Sequence, residues 1–483
     1  MPDHPPRRML GDALEISQIL TGLWQVADLE KAGALIDPEA GADDLQAYVD
    51  AGFTTFDMAD HYGSAELIAG ALLQRTGTKA QMMTKWCPPP GRMSAEIVRA
   101  GVQERLDRLR TDRIDLLQFH WWSFENPAWL DALHEMARLK DEGLIGALGV
   151  TNFDAAHLRL AVADGIPLVS NQVSFSMLDR RATGPLSEFC AASGVRLLAY
   201  GTLCGGFLSD RWLGKSEPDA ISDWSKMKYK RFIDVAGGWS ALQMVLRAAH
   251  EVARKHAASI ANVATAWVLA QPAVAGVIIG ARLGERDHIA DNAKLFALEL
   301  DAEDLERLDH AFAETPPVPG DCGDEYRRPP FLTASGDLSD HLAEIPPAFA
   351  PSRLDHRPDA QRVLTGSDWE EIAGYCRAQR IGDRILVSGT TAVVGRARAV
   401  AAGDAGAQTT FILDKILAAV SALGGRAEDI VRTSIYIVDA KDVEEISRAH
   451  GRVFGDIKPA NTLVVVSGLI GDHRVEIEAE ALV

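Results

Sequence analysis

Eight short apolar runs, separated by stretches of helical period, constrain this chain more than any other feature. They fall at 16–23, 54–58, 81–86, 114–120, 145–151, 168–173, 196–201 and 274–279. A parallel strand is buried on both faces and needs a crossover helix to return the chain, so runs of strand length that alternate with amphipathic helices read as parallel strands. Ser94 is placed to cap one such helix, on which Val98, Val102, Leu106 and Leu109 share a face. Leu133, Met136, Ala137 and Lys140 continue the period in the next helix. Eight strands predict a closed (β/α)8 barrel of the α/β class. An open doubly wound sheet shares the alternation, yet it is normally marked by GxGxxG after its first strand, and the motif is missing here.

At 483 residues the chain is too long for one average core. Its periodicity predicts a barrel domain over 1–315, and at 316–352 a Pro-rich tail and linker with neither helical nor strand period. Cys322, Tyr326 and Phe331 are unusual for a fully solvated linker and let this tail pack over the barrel mouth. Over 353–483 a different pattern predicts a smaller α+β domain. It has strands at 384–390, 431–438, 463–466 and 475–481, one helix with Leu413, Ile416, Leu417, Val420 and Leu423 on a face, and a second helix at 442–454.

A formal charge of −19 disfavours broad nucleic-acid or anionic-membrane surfaces, which would be repelled at long range. The first residues carry no apolar core of signal-peptide length, and no run approaches the roughly 20 apolar residues that span a bilayer, so a cytoplasmic location is expected. Five scattered cysteines without a CxxC pair argue against a disulfide framework or a structural zinc site, and no metal is expected.

A barrel of this kind carries its active site at the C-terminal ends of the strands. The stretch GFTTFDMADHYG at 52–63 delivers Asp57 and Tyr62 there, MMTKW delivers Lys85, and LLQFHWW delivers His120. A phenol with an ordinary pKa of about 10 is a poor proton donor at neutral pH unless a cation stabilises its phenolate. Lys85 supplies that cation, Asp57 holds the ammonium, and a neutral His120 orients a substrate oxygen. The set suits protonation of a carbonyl oxygen as hydride reaches its carbon. It suits hydrolysis poorly, because no nucleophile with a base is apparent.

With these motifs, and with SNQ at 170–172, YGTLCGGFL at 200–208 and GARLGERDHIADN at 280–292, residues 1 to about 345 resemble an aldo-keto reductase. The resemblance implies Tyr62 as general acid, with Asp57, Lys85 and His120 completing a tetrad. It implies Thr151, Asn152 and Gln172 at a nicotinamide carboxamide, Tyr200 stacked on the ring, and Gly22, Gly201, Leu203 and Gly280 along the cofactor. Arg282 would meet a 2′-phosphate, with Asp291 and Asn292 at the adenine. A guanidinium suits a phosphate, so NADP is expected ahead of NAD. Trp24, Trp86 and Trp121, with Trp122, are expected to form an aromatic wall against a small-molecule carbonyl or alcohol.

Residues 353–483 resemble the RidA/YjgF (Rid) family, through RILVSGTT, IVRTSIYIVD and PANTLVVVSGLIGDHRVEIEAE. The resemblance implies a chorismate-mutase-like fold, usually trimeric, with clefts between subunits. Active imine deaminases of that family carry an arginine after the Pro-Ala pair to grip a substrate carboxylate. Here the position is Asn461, while the acidic cleft position is kept as Glu476. Imine deamination by this half is therefore in doubt, and the expected role is assembly of a homo-oligomer or metabolite binding. Two further readings stay open: a bifunctional reductase and enamine/imine deaminase, and an NADP-binding sensor or scaffold with little turnover.

Overall fold

A computed structural model of the chain describes residues 4–34, 36–76, 79–284, 288–327 and 345–483. It opens with a hairpin of β1 (Arg7–Leu10) and β2 (Leu14–Ser17). Eight parallel strands then close a barrel: β3 (Ile19–Gly22), β4 (Thr55–Asp57), β5 (Gln81–Trp86), β6 (Ile114–His120), β7 (Ile145–Thr151), β8 (Leu168–Ser174), β9 (Arg196–Tyr200) and β10 (Val274–Gly280). Closure comes from β10, which pairs in parallel with β3 from Val277 opposite Ile19 to Gly280 opposite Gly22.

The apolar run at 16–23 is not one strand. The chain turns at Gln18, whose N–H donates to Pro6 O at 2.7 Å, so the residues before it belong to the hairpin. Leu10, Leu14 and Ile16 of that hairpin pack with Leu20, Met83, Leu116, Ala147, Leu198 and Ala275 inside the barrel. Arg8 donates to the carbonyl of Val274, the first residue of β10, at 2.7 Å, which fixes the hairpin at the end opposite the mouth. An apolar plug there leaves only the other end for polar side chains.

Helices flank the strands, and the one beginning at Ala95 is capped by Ser94, whose hydroxyl accepts from Ile97 N–H. After helix Ala302–Ala313 the chain runs back over the mouth as an irregular tail that ends in the short helix Asp324–Arg327. Arg181 clasps it by donating to Asp321 O at 2.7 Å and to Glu325 at 2.8 Å. Tyr326 and Cys322 are buried in the tail; Phe331 lies outside the described residues.

The C-terminal part is a seven-stranded sheet in the order β11-β12-β13-β14-β19-β17-β18. Its strands are β11 (Pro351–Leu354), β12 (Arg357–Val363), β13 (Ala378–Ile381), β14 (Arg384–Thr390), β17 (Ile430–Ile437), β18 (Ala460–Val465) and β19 (Val475–Leu482). A small hairpin of β15 (Val393–Val394) and β16 (Arg398–Ala399) stands beside it. The long helix Ala405–Ala422 covers one face and helix Val443–Phe454 packs on that helix. Strands β11 to β13 escape the sequence pattern because β12 reads RPDAQRV, in which only Ala360 and Val363 are buried. Among the described residues no helix is long and apolar enough to cross a membrane.

Candidate active site

Strand geometry decides what reaches the mouth. Successive side chains on a strand point to opposite sides, so in each strand end one residue faces into the barrel and its neighbour faces the helices. Lys85 on β5 and His120 on β6 face in, and Asp57 ends β4 beside them. Lys85 Nζ donates to Asp57 Oδ2 at 2.8 Å, with both side chains buried. The same ammonium lies 4.9 Å from the ring centre of Tyr62, in the loop between β4 and helix Ala65–Thr76. A cation held against a phenol favours the phenolate that remains when the phenol gives up its proton.

Asp57 is further fixed by two amides. Gln172 Nε2 donates to its Oδ1 at 2.6 Å and Gln118 Nε2 at 3.3 Å, and the amides are joined at 3.2 Å. Gln118 was legible as a neighbour, since it precedes His120 by two residues on one strand and so shares its face. His120 is buried, and its Nε2 has no hydrogen-bond partner among the described residues. Burial, reinforced by the nearby cations of Arg327 and Lys228, holds the imidazole well below its ordinary pKa and keeps it neutral.

One cavity of about 550 Å³ runs along this mouth. Its lining includes Gly22, Trp24, Asp57, Tyr62, Lys85, His120, Thr151, Asn152, Gln172, Tyr200, Gly201, Leu203, Gly280, Arg282, Asp291 and Asn292, so these candidate positions are brought together. Gly22 permits the close approach of β3 to β10, since a Cβ there would stand 2.6 Å from Ile278 Cγ2. Asn152 follows β7 with a left-handed φ of 60°, a strained setting for a non-glycine residue, and its Oδ1 accepts from Tyr200 OH at 2.8 Å. At the far end Arg282 is paired with Asp223 at 2.6 Å, and Asp223 also caps helix Trp224–Val235. Asp291 anchors that end, with Lys294 at 2.9 Å and Ser259 Oγ at 3.3 Å.

Two of the expected aromatic positions are corrected. Trp86 follows Lys85 and Trp121 follows His120, so alternation turns both indoles outward. Trp86 lies against Gly101 of helix Ala95–Leu109, and Trp121 Nε1 donates to Asn126 O at 3.1 Å. The cavity is walled instead by Trp24, 5.0 Å from Tyr62, and by Trp122, whose ring centre stands 4.2 Å from that of His120. The tail adds Tyr326, with its ring centre 5.3 Å from that of His120 and its hydroxyl bonded to Lys228. Only the odd composition of the linker hinted at that contribution. Lys228, Ser209 and Asn262 also line the cavity and carry no sequence signal of their own. Beside Tyr62, Asp60, His61 and Cys87 bring one ligand-type atom each within 4.8 Å of one another, but the Asp60 carboxylate already accepts from Cys87 N–H at 2.8 Å and pairs with His61 at 2.9 Å.

In the C-terminal sheet Asn461 is exposed on β18, and its Nδ2 donates to Thr433 Oγ1 at 2.9 Å. Glu476 sits on β19 against Gly389, and burial raises its pKa. Asn461 is level with Thr433 and Glu476 with Tyr436, so the two stand on opposite sides of β17, three positions apart, and do not meet within one chain.

The family model described as the aldo/keto reductase family matches residues 18–313, and the one described as endoribonuclease L-PSP matches 365–483. Protein tas of Escherichia coli is 27% identical over 300 residues, covering 53% of this chain and 85% of its own. An uncharacterized protein of Streptomyces coelicolor is 38% identical over 120 residues, covering 25% of this chain and 88% of its own. The structure of a glycerol dehydrogenase from Gluconobacter oxydans superposes with a TM-score of 0.56 at 25% identity, covering 66% of this chain and 98% of that one.

Proposed function

Because this chain belongs to the aldo/keto reductase family and continues into a RidA/YjgF domain, we propose that it is an NADP-dependent oxidoreductase that interconverts a carbonyl compound and its alcohol. The observation that carries this reading is the set of four groups at one mouth: Tyr62 beside the Lys85–Asp57 pair, and a neutral His120 whose Nε2 has no partner among the described residues. A nicotinamide would supply or accept the hydride. Tyr62 gives its proton to the substrate oxygen, Lys85 stabilises the phenolate left behind, Asp57 holds Lys85, and His120 orients the oxygen through a hydrogen bond.

The cofactor fit is supported by a cavity that joins this mouth to Arg282, Asp291 and Asn292, and by the Thr151 hydroxyl on its wall, which has no hydrogen-bond partner among the described residues. Asn152, Gln172 and Tyr200 are the residues to hold the nicotinamide end, with Arg282 at a 2′-phosphate. The apolar substrate side is Trp24, Trp122 and Tyr326, which suits a hydrophobic carbonyl. For the C-terminal domain the favoured role is assembly, because Asn461 supplies no cation for a carboxylate. The test is NADPH oxidation with a panel of aldehydes and ketones: turnover by the parent and its loss in Tyr62→Phe supports the reading, and full activity in that variant overturns it.

A further inference from the structure

The two domains touch along helix Ala155–Ala163 of the barrel and helix Ala405–Ala422 of the C-terminal sheet. Arg159 pairs with Asp404 at 2.8 Å and with Glu445, Arg398 with Asp164 at 2.8 Å, and Arg452 stands 3.8 Å from Asp154. At the centre is a buried imidazole. His157 Nδ1 bonds Asp154 Oδ2 at 2.7 Å, and its Nε2 bonds Oδ2 of Asp414, from the other domain, at 2.9 Å. Both ring nitrogens are thereby committed, one to each domain.

That imidazole is stacked on Phe124, with ring centres 3.6 Å apart and an interplanar angle of 8°. The Arg327 guanidinium, from the tail, lies 4.0 Å from the centre of the Phe124 ring. Arg327 donates to the carbonyls of Asn152 and Trp121, the residues that follow the last positions of β7 and β6. Asn152 is the left-handed residue whose side chain holds the Tyr200 hydroxyl. A chain of direct contacts therefore leads from the C-terminal domain to the nicotinamide end of the cavity.

We propose that the C-terminal domain positions the reductase site: Asp414 fixes His157, and through Phe124 and Arg327 this contact sets Asn152 and Tyr200 for the dinucleotide. Asp414 and His157 are positioning residues, since neither touches the cavity. The proposal rests on the mouth being a dinucleotide site. His157 faces Asp154 and Asp414; Glu125 acts on Asp414, and the cations Arg327 and Arg452 act on Asp154, with Asp321 and Asp324 acting on Arg452. Burial disfavours its charged form, but the two bonded carboxylates outweigh it and raise its pKa. The imidazolium bridge is complete below the ordinary histidine value of about 6.5 and is lost as pH rises through the raised value.

The experiment uses the full chain, its Asp414→Asn variant and the conservative Asp414→Glu variant. NADPH affinity is measured by calorimetry between pH 6 and 9, and amide hydrogen exchange is followed at residues 120–127 and 150–155. In the parent, affinity falls as pH rises through the His157 titration. In Asp414→Asn it is about tenfold weaker at pH 7 without that step, exchange at the two segments is about tenfold faster, and Asp414→Glu recovers both (about 1.4 kcal/mol per tenfold). Unchanged affinity and exchange in Asp414→Asn overturn the proposal, as does faster exchange throughout the barrel, which marks a merely structural residue. If the parent binds no dinucleotide, the reductase reading fails, and exchange at the two segments still decides the coupling.

Discussion

Tyr62 is the residue whose loss separates chemistry from binding. Its phenol is the proposed proton donor, so Tyr62→Phe is expected to lower kcat by about 10²–10⁴ while NADPH affinity, read by calorimetry, stays within about twofold. Wild-type kcat in the variant would assign the proton to another group. His120 gives a pH test with a definite sign. Its folded-state pKa is lowered, so the neutral imidazole is favoured above about 6.5 and is lost only as pH falls through the depressed value. The pH profile of kcat/KM is expected to show no acid limb near 6.5, and a limb there that disappears in His120→Asn would refute a neutral His120. These groups were legible in the sequence because each ends or follows an apolar run, where barrel topology alone gives the address. Arg282 was legible as a cation, but its partner Asp223 was not, being 59 residues away on the cap of an inserted helix. A 2′-phosphate has to compete with that carboxylate. Asp223→Asn keeps an N-capping side chain and removes the rival charge. It is expected to raise the preference for NADPH over NADH about tenfold in dissociation constants, and Arg282→Ala to lower it. An unchanged ratio in both would remove Arg282 from the phosphate end.

Elements carry the corrections. The pattern of apolar runs located the barrel strands to within a few residues, since a buried parallel strand writes its whole length in apolar side chains. Direction within a strand is a separate question, answered by period two, and it divides the tryptophans. Trp122 follows His120 by two and returns to the cavity, whereas Trp86 and Trp121 face the helix layer. Trp122, buried against Cys87 and Tyr326, is therefore expected on replacement by Ala to raise KM for aromatic carbonyls in addition to losing packing. Trp86→Ala is expected to destabilise the fold by about 3–5 kcal/mol with KM almost unchanged, read by denaturant unfolding beside steady-state kinetics. A reversal of these two phenotypes would sink the assignment. The hairpin β1–β2 and the tail at 315–327 were less legible, for a different reason. The tail announced itself only by its odd composition, and the place of both segments is set by contacts far along the chain, such as Arg8 to Val274 and Arg327 to Asn152.

At the scale of the whole molecule, the link between the domains could not be read ahead, because Asp414 and His157 are 257 residues apart and neither lies in a recognisable motif. The C-terminal sheet has one face under helix Ala405–Ala422, and β18 ends the sheet as a strand paired on one side. Val464 and Val465 on that edge strand are 40% and 55% exposed, Leu386 of β14 is 42% exposed, and Ile470 in the loop after β18 is 79% exposed. An exposed apolar edge strand is a liability in a lone monomer and is ordinarily covered by a partner. The Rid-type fold makes a second and third copy of this chain the expected cover, although each chain carries a formal charge of −19 and salt is needed to screen the approach. Light scattering of the full chain at physiological ionic strength is expected to give about three times 52.2 kDa. Val465→Asp, which places a charge on the exposed edge without touching the barrel, is expected to reduce the mass to that of one chain while NADPH binding persists, because the contact between Asp414 and His157 lies within a single chain. A monomeric parent would end the assembly reading, and loss of dinucleotide affinity on dissociation would show that the barrel depends on its neighbours as well as on its own C-terminal domain.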